Sequence, residues 1–526
     1  MDILIKNGTI VDGTGEKPYV ADLAVERDVI SGIGHFDEAG ARLVIDAAGQ
    51  MVTPGLIDGH THSELNIMNN RQHPSALYQG ITTVVTGQCG LGFAPMAASE
   101  LETSIRYNAG IFGNDFAHLK PWSTFAEYLD RLDGSAVNVA SNVSHNAVRQ
   151  AASGFSNLPL TGERLDKALA ALESALRDGA TGLSVGLSYY PGGYSDTREL
   201  IELCRMVQRY DGVFCVHLRL NDGQVPYSPV EEIARVVEAT GVRLNMLHYR
   251  TGGMEQGIDT LFAPFRALEE AGAEIHYEYY PYMVGAGLVM ALLPGWVQEG
   301  GPDAVMERLA DRALRPRLLR EMDERHRYFF DPGQTCRIIL TEDPYSPLLD
   351  QTMDEIMAER GIGFSEAVIE TLLENHLQLG FAGVENQSDA LKAKLYDDQY
   401  KLFMDERYTI GSDTIPAGAL VHPRAFGAFA RIIRLMRQRG VAPEFIIKKL
   451  TAYPAAIYHL KGRGALRVGN AADICLMDFD RVADNATFED GRHGATGVDT
   501  VLVNGRPALR HGMITGALYG RALQRG

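Results

Sequence analysis

The chain has 526 residues, enough for several domains or for one large barrel with additions, and its 45% hydrophobic and 22% charged residues are typical of globular proteins. The formal net charge of −18 argues against a nucleic-acid or anionic-membrane partner, because both select basic surfaces. No apolar run has the length needed to cross a membrane, so we expect no membrane partner.

The cysteines and the first residues bear on the cellular compartment of the protein. The five cysteines lie far apart without paired spacing, which is typical of reduced thiols in a cytosolic protein. The first residues lack the basic and apolar pattern of a secretory signal. We therefore predict a cytoplasmic protein, and we leave open whether it forms a homo-oligomer.

Both ends of the chain have the pattern of short strands. Residues 1–50 contain half-apolar segments separated by turn residues, and similar segments return from about residue 466. Each set is small for an independent core. Because the termini of a barrel lie close in space, we predict that residues 1–55 and 466–526 pair in one composite β-sandwich.

Between these ends, strand-like runs alternate with helical patterns such as 165–177, 229–239 and 257–271. Alternation of this kind predicts βα units and a parallel sheet. The candidate strands are 51–58, 80–86, 136–143, 182–187, 212–218, 243–248, 273–280 and 408–412.

Eight such strands predict an α/β protein built on a (β/α)8 TIM-like barrel over residues 56–465. An open doubly wound sheet is the competing topology, but no phosphate-binding glycine loop follows the first strand. About 125 residues separate strands 7 and 8, far more than one barrel connection needs. We therefore predict a helical insertion after strand 7, covering 286–350, on the face of the barrel that carries chemistry.

Residues that can bind a metal follow five of the predicted strands. Each of these residues alone is also compatible with a purely structural role, such as a buried core residue or a helix cap. Six of them at the same end of a barrel, where barrels carry their catalytic residues, indicate a shared site. Strand 1 supplies His60 and His62, which point the same way, and the others supply Cys89, His217, His248 and Asp413.

The donor types favour zinc. A thiolate with two imidazoles suits this ion and leaves a position for water. His60, His62 and Asp413 can complete that site or form a second, weaker one. Zinc makes bound water easier to deprotonate, and Asp413 can accept the proton as general base and return it to a leaving amine. We therefore predict a zinc cofactor and hydrolysis of amides or related C–N or ester bonds.

At this point the chain resembles the N-acyl-D-amino-acid deacylases (D-aminoacylases), a branch of the amidohydrolase superfamily of metal-dependent (β/α)8 barrels. The resemblance covers essentially the whole chain. It is carried by residues 7–15 (NGTIVDGTG), 54–62 (PGLIDGHTH), 179–187 (GATGLSVGL), 280–282 (YPY), 411–413 (GSD), 422–424 (HPR), 503–505 (VNG) and 515–521 (TGALYGR).

The resemblance implies a role for each strand-end residue. Cys89 is the specific marker, because most of the superfamily has a carboxylated lysine as the bridging ligand. Asp413 is expected to be the catalytic acid and base. The tight zinc is held by Cys89, His217 and His248, and His60 and His62 belong to a second, looser position.

The resemblance also implies substrate contacts, with departures. Arg424 matches an arginine that pairs with a substrate carboxylate, the alternative being a surface salt bridge, and Tyr280 matches a substrate-binding tyrosine. Arg250 stands where the family usually has lysine, and residues 283–286 lack the usual serine, ending in Ala286. Thr414 follows Asp413 where glycine is usual.

Three functions are compatible with these features. The first is a zinc-dependent amidase that hydrolyses small-molecule N-acyl amino acids, of D configuration. The second is an amidohydrolase acting on a cyclic amide, carbamoyl or lactone substrate, which the altered Arg250 and Ala286 favour. The third is a non-catalytic relative, which the loss of a metal ligand or of Asp413 would favour; neither is lost.

Overall fold

The structure is a computed structural model that describes residues 1–220, 226–251, 257–326 and 334–525. Its strands are β1 (Ile3–Ile10), β2 (Tyr19–Glu26), β3 (Val29–Gly34), β4 (Leu43–Asp46), β5 (Met51–Pro54), β6 (Leu56–Asp58), β7 (Ile81–Thr86), β8 (Asn138–Ser141), β9 (Val143–Ser144), β10 (Gly182–Gly186), β11 (Val213–His217), β12 (Arg243–Met246), β13 (Ile275–Tyr279), β14 (Ala286–Leu288), β15 (Cys336–Leu340), β16 (Gly380–Gly383), β17 (Tyr408–Ile410), β18 (Ile474–Met477), β19 (Val498–Val503), β20 (Arg506–Arg510) and β21 (Met513–Ile514).

The α-helices are α1 (Glu64–Asn69), α2 (Pro74–Leu77), α3 (Leu101–Tyr107), α4 (Ala109–Phe112), α5 (Phe125–Leu132), α6 (His145–Ser153), α7 (Glu163–Arg177), α8 (Thr197–Arg209), α9 (Pro229–Thr240), α10 (Asp259–Phe262), α11 (Arg266–Glu270), α12 (Gly295–Gln298), α13 (Pro302–Ala310), α14 (Arg315–His326), α15 (Met353–Arg360), α16 (Phe364–Glu374), α17 (Asp389–Met404), α18 (Arg424–Gln438), α19 (Pro443–Leu450) and α20 (Ala452–Ile457). Short 3-10 segments lie at Ala98–Glu100, Gly192–Tyr194 and Val289–Leu292.

Helix α9 shows how local sequence sets the limits of an element. The Ser228 hydroxyl accepts a hydrogen bond from the Glu231 backbone, and the Glu231 carboxylate accepts one from the Ser228 backbone, which forms a capping box. Pro229 occupies the first turn, where no N–H is needed. Gly241 ends the helix in the left-handed conformation that glycine tolerates. The helix is one residue longer than the segment predicted from the sequence.

The two ends of the chain form one nine-stranded sheet. Its order is β21-β20-β19-β18-β5-β1-β2-β3, with β4 paired to β1. The antiparallel pair β5 and β18 joins the two ends, with Val52 opposite Leu476. This sheet has an apolar core of its own, to which Ile5, Leu23 and Ile474 contribute. The limits 1–55 and 466–526 stay a prediction.

Eight parallel strands form the barrel: β6, β7, β8, β10, β11, β12, β13 and β17. Only Asn142 separates β8 from β9, which pairs with β10 and carries the sheet onward. The ring closes beyond β6 and β17, where Thr61 bridges Thr414 in parallel. The strands are buried along most of their length, which explains their near-continuous apolar character. The predicted (β/α)8 fold class is confirmed.

The long segment between β13 and β17 carries helices α12–α17, of which α12–α14 lie within the predicted limits 286–350 and α15–α17 lie beyond them. It also contains an antiparallel sheet of order β14-β16-β15, which we did not predict. Strand β16 reads Gly-Phe-Ala-Gly, a weak strand signal, because glycine lacks the side chain that packs on a sheet. The limits 286–350 stay a prediction, and 327–333 within them lie outside the described residues.

A helix that crosses a bilayer needs about 20 mostly apolar residues. Across residues 1–220, 226–251, 257–326 and 334–525, no helix combines this length with this apolar character.

Candidate metal centre

The six residues singled out at the strand ends all lie around one point at the mouth of the barrel. Parallel strands direct their carboxyl ends to the same rim, so residues distant in sequence become neighbours. His217 is the last residue of β11, and the others stand in the turns that follow their strands. The residues in those turns are His60 and His62 after β6, Cys89 after β7, His248 after β12 and Asp413 after β17.

The Cys89 thiol lies at the centre of this group. Its Sγ is 3.3 Å from His60 Nε2 and 3.5 Å from His248 Nε2. His248 Nε2 is in turn 2.9 Å from His217 Nδ1. Cys89 therefore belongs to two overlapping sets of possible metal ligands, one with His217 and His248 and one with His60 and His62.

Asp413 joins the pair of histidines from strand 1. Its Oδ1 lies 3.3 Å from His60 Nε2 and 3.2 Å from His62 Nε2. Its Oδ2 lies 2.8 Å from Arg424 Nη1, and the Arg424 side chain is fully buried. The alternative that Arg424 forms a surface salt bridge is therefore excluded. Its partner in the structure is the buried Asp413.

Three of these residues have an uncommon backbone conformation. The φ angles of Cys89, His248 and Asp413 are 54°, 37° and 52°, in the left-handed region that residues with a Cβ rarely adopt. Such conformations cost on the order of 1–3 kcal/mol each and persist only where the surroundings impose them. Their concentration at one rim is typical of a functional site.

The donor atoms fit a zinc ion. In each of the two sets, the ligand atoms all lie within 4.8 Å of one another. A tetrahedral zinc with bonds of about 2.0–2.3 Å holds its ligands roughly 3.4–3.6 Å apart, close to the two separations of the Cys89 Sγ. The 2.9 Å between His217 and His248 is a hydrogen-bond distance and requires a small outward shift of these rings.

The protonation states also suit metal binding. Burial lowers the pKa of His217 to about 4 and lowers the pKa of His62 and His248, so each keeps a lone pair at neutral pH. Burial raises the pKa of the Cys89 thiol to about 11. A thiolate at this position therefore needs a cation beside it, which a metal supplies.

Two charged groups at the site behave differently. Burial disfavours the charged form of His60, yet the negative charges of Glu278, Cys89 and Asp413 raise its pKa well above the usual value. Burial likewise disfavours the Asp413 carboxylate, but the positive charges of Arg424 and His60 hold its pKa well below the usual range. Asp413 is consequently a carboxylate at neutral pH and can accept a proton.

Two residues that support the histidines were not singled out from the sequence. Glu278 in β13 places Oε1 2.7 Å from His60 Nδ1. Ser188, in the loop after β10, places Oγ 2.7 Å from His217 Nε2. Metal-binding histidines commonly use their second nitrogen in this way. A carboxylate inside a buried strand was a signal for Glu278, whereas nothing in the sequence distinguishes Ser188.

The buried Tyr458 side chain forms hydrogen bonds to residues next to the possible metal ligands. Its hydroxyl donates to the Gly59 carbonyl over 2.9 Å and accepts from the side-chain amides of Gln88 and Asn245 over 3.1 and 3.0 Å. Gly59 and Gln88 directly precede His60 and Cys89 in the chain. The buried phenol thus connects the turns after strands 1 and 2.

A cavity of about 210 Å³ opens beside the donor atoms. Tyr280 lies on its wall, as does Ala286, at the position where a serine was expected. Arg424 lies behind Asp413, and Arg250 donates to the backbone carbonyls of Tyr282 and Met283. The lining residues are His62, Cys89, Ile111, Tyr189, His217, His248, Tyr280, Ala286, Asp413 and Ile415.

The Tyr280 ring also connects the two arginines that were considered for substrate binding. The guanidinium carbons of Arg250 and Arg424 lie 4.5 and 4.7 Å from its centroid. Both are cation–π distances. The structure therefore brings together all three residues considered for substrate binding, at the edge of the cavity.

Comparison with known proteins assigns the chain to a family. The sequence profile described as the amidohydrolase family matches residues 43–509. The chain belongs to the amidohydrolase family. Among curated relatives of this amidohydrolase, D-aminoacylase of Alcaligenes xylosoxydans xylosoxydans is 30% identical over 100% of this chain and 98% of its own. N-acyl-D-glutamate deacylase of the same organism is 28% identical over 96% and 93%.

Solved structures of amidohydrolases have the same architecture. The crystal structure of D-aminoacylase, reported to define a novel subset of amidohydrolases, superposes with a TM-score of 0.80 at 29% identity over the whole of both chains. N-acyl-D-glutamate deacylase from Bordetella bronchiseptica, in complex with zinc and a phosphonate mimic of the tetrahedral intermediate, gives 0.80 at 25% identity over the whole of both.

Replacing the thiol tests the metal centre of this amidohydrolase. We expect Cys89→Ala to lower the zinc content of the purified protein, because both possible ligand sets lose their shared donor. Cys204→Ala is the matched control, since Cys204 is equally buried but lies in α8, outside both sets. Zinc per chain is measured by atomic absorption after dialysis. Equal zinc in Cys89→Ala and wild type would show that Cys89 is not a ligand.

Proposed function

We propose that this amidohydrolase is a zinc-dependent deacylase that hydrolyses the amide bond of N-acyl amino acids of D configuration. The observation that carries the proposal is the meeting of one thiol, four imidazoles and the Asp413 carboxylate, of which all but His60 line a small cavity. The relatives named above support the substrate class. Cytoplasmic location and the oligomeric state stay predictions.

The residues Cys89, His217 and His248 would hold the tightly bound zinc, and His60 and His62 a second, weaker ion. A zinc ion at this position supplies Lewis acidity, which polarises the amide carbonyl and makes water easier to deprotonate. The chain contributes neutral imidazoles that are already buried in place, so little reorganisation is needed on binding.

Asp413 carries the proton in this proposal. Its carboxylate accepts a proton from the attacking water, whose oxygen forms the new bond to the acyl carbon. The same proton then passes to the amide nitrogen as the C–N bond breaks, so that a carboxylic acid and an amine leave. The ion pair with Arg424, at 2.8 Å, keeps the carboxylate charged before the first transfer and holds the side chain in place for the second.

Substrate binding is assigned to three residues at the cavity edge. Tyr280 lies on the wall, and Arg424 and Arg250 stack on its ring. Arg424 Nη2 lies 3.3 Å from the Ala286 carbonyl, while Nη1 faces Asp413. A substrate carboxylate would accept hydrogen bonds from one edge of a guanidinium in the bidentate manner suited to arginine.

A second candidate function is hydrolysis of a cyclic amide, carbamoyl compound or lactone. Among the described residues, the cavity wall includes no lysine or arginine side chain. Both nearby arginines already have partners, and Ala286 provides no hydroxyl. A substrate without a free carboxylate would need none of these contacts, which is the observation in favour of this candidate.

The test is a substrate screen with protein of measured zinc content. We expect release of free amino acid from N-acetyl-D-amino acids, with the L-enantiomers hydrolysed more slowly. The same preparation is offered hydantoins, dihydropyrimidines and small lactones. Turnover of a cyclic substrate without turnover of any N-acetyl amino acid would replace the first candidate with the second.

Asp413→Asn is the control that links turnover to the site. We expect turnover to fall by about 10²–10⁴-fold, the usual contribution of a general acid–base group, with zinc still bound. The tight ligand set does not include Asp413, so zinc content should stay close to that of the wild type. Unchanged turnover would remove Asp413 from the mechanism.

Substitution of Arg424 distinguishes a role in substrate binding from a role in stabilising the Asp413 carboxylate. If the guanidinium binds the substrate carboxylate, Arg424→Ala raises KM for N-acetyl-D-amino acids while kcat changes less. We expect this result together with a smaller loss of kcat, because the same substitution removes the 2.8 Å ion pair. The matched control is Arg431→Ala, a cation in the same helix whose partner is Asp484. Unchanged KM in Arg424→Ala would indicate a substrate without a carboxylate.

A further inference from the structure

Glu278 is a buried carboxylate whose hydrogen-bond partner is the His60 side chain. Its side chain and that of His60 are both 0% exposed, and Oε1 lies 2.7 Å from His60 Nδ1. Within the described part of the chain, its second oxygen, Oε2, has no hydrogen-bond partner. Burying a carboxylate with so few contacts is costly, so the position needs a reason other than stability.

The backbone leaves space specifically for this pair. A Cβ added at Gly411 would lie 2.4 Å from Glu278 Cδ and 2.6 Å from His60 Cβ, closer than packed atoms come. Gly411 belongs to the turn after β17 that leads to Asp413. Three barrel strands, the first, seventh and eighth, are thus shaped around one contact.

The direction of the hydrogen bond decides which nitrogen of His60 can bind a metal. A carboxylate only accepts hydrogen bonds, so a neutral His60 must carry its proton on Nδ1. Its lone pair then lies on Nε2, the atom that faces Cys89 Sγ and Asp413 Oδ1 at 3.3 Å each. The other tautomer would place a proton at the metal position.

We propose that Glu278 is a positioning residue of the metal centre, which fixes the Nδ1–H tautomer of His60 and so presents Nε2 to the ion. The proposal rests on the proposed function only in needing a metal at the ligand sets that contain Cys89. Glu278 has no catalytic step in this proposal, because it is not among the residues that line the cavity.

Substitutions at Glu278 separate a positioning role from simple packing. Glu278→Gln keeps the size and an oxygen that accepts from Nδ1–H, whereas Glu278→Leu keeps similar bulk and removes the acceptor. Loss of such an outer hydrogen bond typically weakens metal binding about 10–100-fold. We expect that loss for at least one cobalt equivalent in the leucine variant, and recovery to within about threefold in the glutamine variant.

Cobalt titration with a chelator competitor measures the dissociation constants, and the cobalt absorption bands report the ligand geometry. Glu199→Gln is the matched control, because Glu199 is a buried carboxylate 2.8 Å from His145 Nε2, outside both ligand sets. Its cobalt constants should equal those of the wild type. Unchanged constants and bands in Glu278→Leu would overturn the proposal, as would equal losses in the glutamine and leucine variants.

A measurement on the wild type avoids any folding defect in the variants. In zinc-loaded protein labelled with ¹⁵N-histidine, we expect the His60 signals of an Nδ1–H tautomer, identified by their absence in His60→Gln. An Nε2–H tautomer for His60 would overturn the proposal. These readouts need no substrate, so a failed substrate screen would reject the proposed function and leave this result standing.

Discussion

The site depends on the backbone pairing that closes the barrel. Beyond the first and eighth strands, the His62 N–H donates to the Thr414 carbonyl and the Asp413 N–H donates to the His60 carbonyl, each over 2.9 Å. The residues that make these closing hydrogen bonds are themselves site residues or their direct neighbours. A fold that failed to close would therefore separate Asp413 from the strand 1 histidines, so chemistry and closure are coupled.

Buried charge is the second constraint. Asp413, Glu278 and a Cys89 thiolate are buried negative groups, and Arg424 is a buried cation beside Asp413. One divalent ion bound by Cys89 would bring these four charges to neutrality. A metal therefore offsets the cost of burying the carboxylates and the thiolate together, which stabilises the folded chain and the site by the same interaction.

The features that could be predicted from the sequence are those that local sequence patterns determine. The six strand-end residues were found because parallel strands place their carboxyl ends at one rim, and because Cys, His and Asp are recognisable donors. The partner of Arg424 was not predicted, since its contact with Asp413 joins the start of α18 to the turn after β17, which are separate in the sequence pattern. Glu278 was counted only as part of a strand, although its charge was unusual there.

The insertion contains elements that could not be predicted from the sequence. Several of its helices were expected, but the strand β16 contains two glycines among four residues and pairs with partners distant in sequence. Local propensity is weak for such a strand, because its stability comes from the sheet that surrounds it. The apolar wall residue Ala286 lies on the neighbouring strand β14, so this small sheet reaches the cavity.

X-ray absorption at the zinc edge of the purified protein tests the central claim most directly. We expect a sulfur ligand at about 2.3 Å together with imidazole nitrogens at about 2.0–2.1 Å, since Cys89 is the donor common to both ligand sets. A first shell made only of nitrogen and oxygen would contradict it, because the zinc would then lie elsewhere than between Cys89 and the histidines.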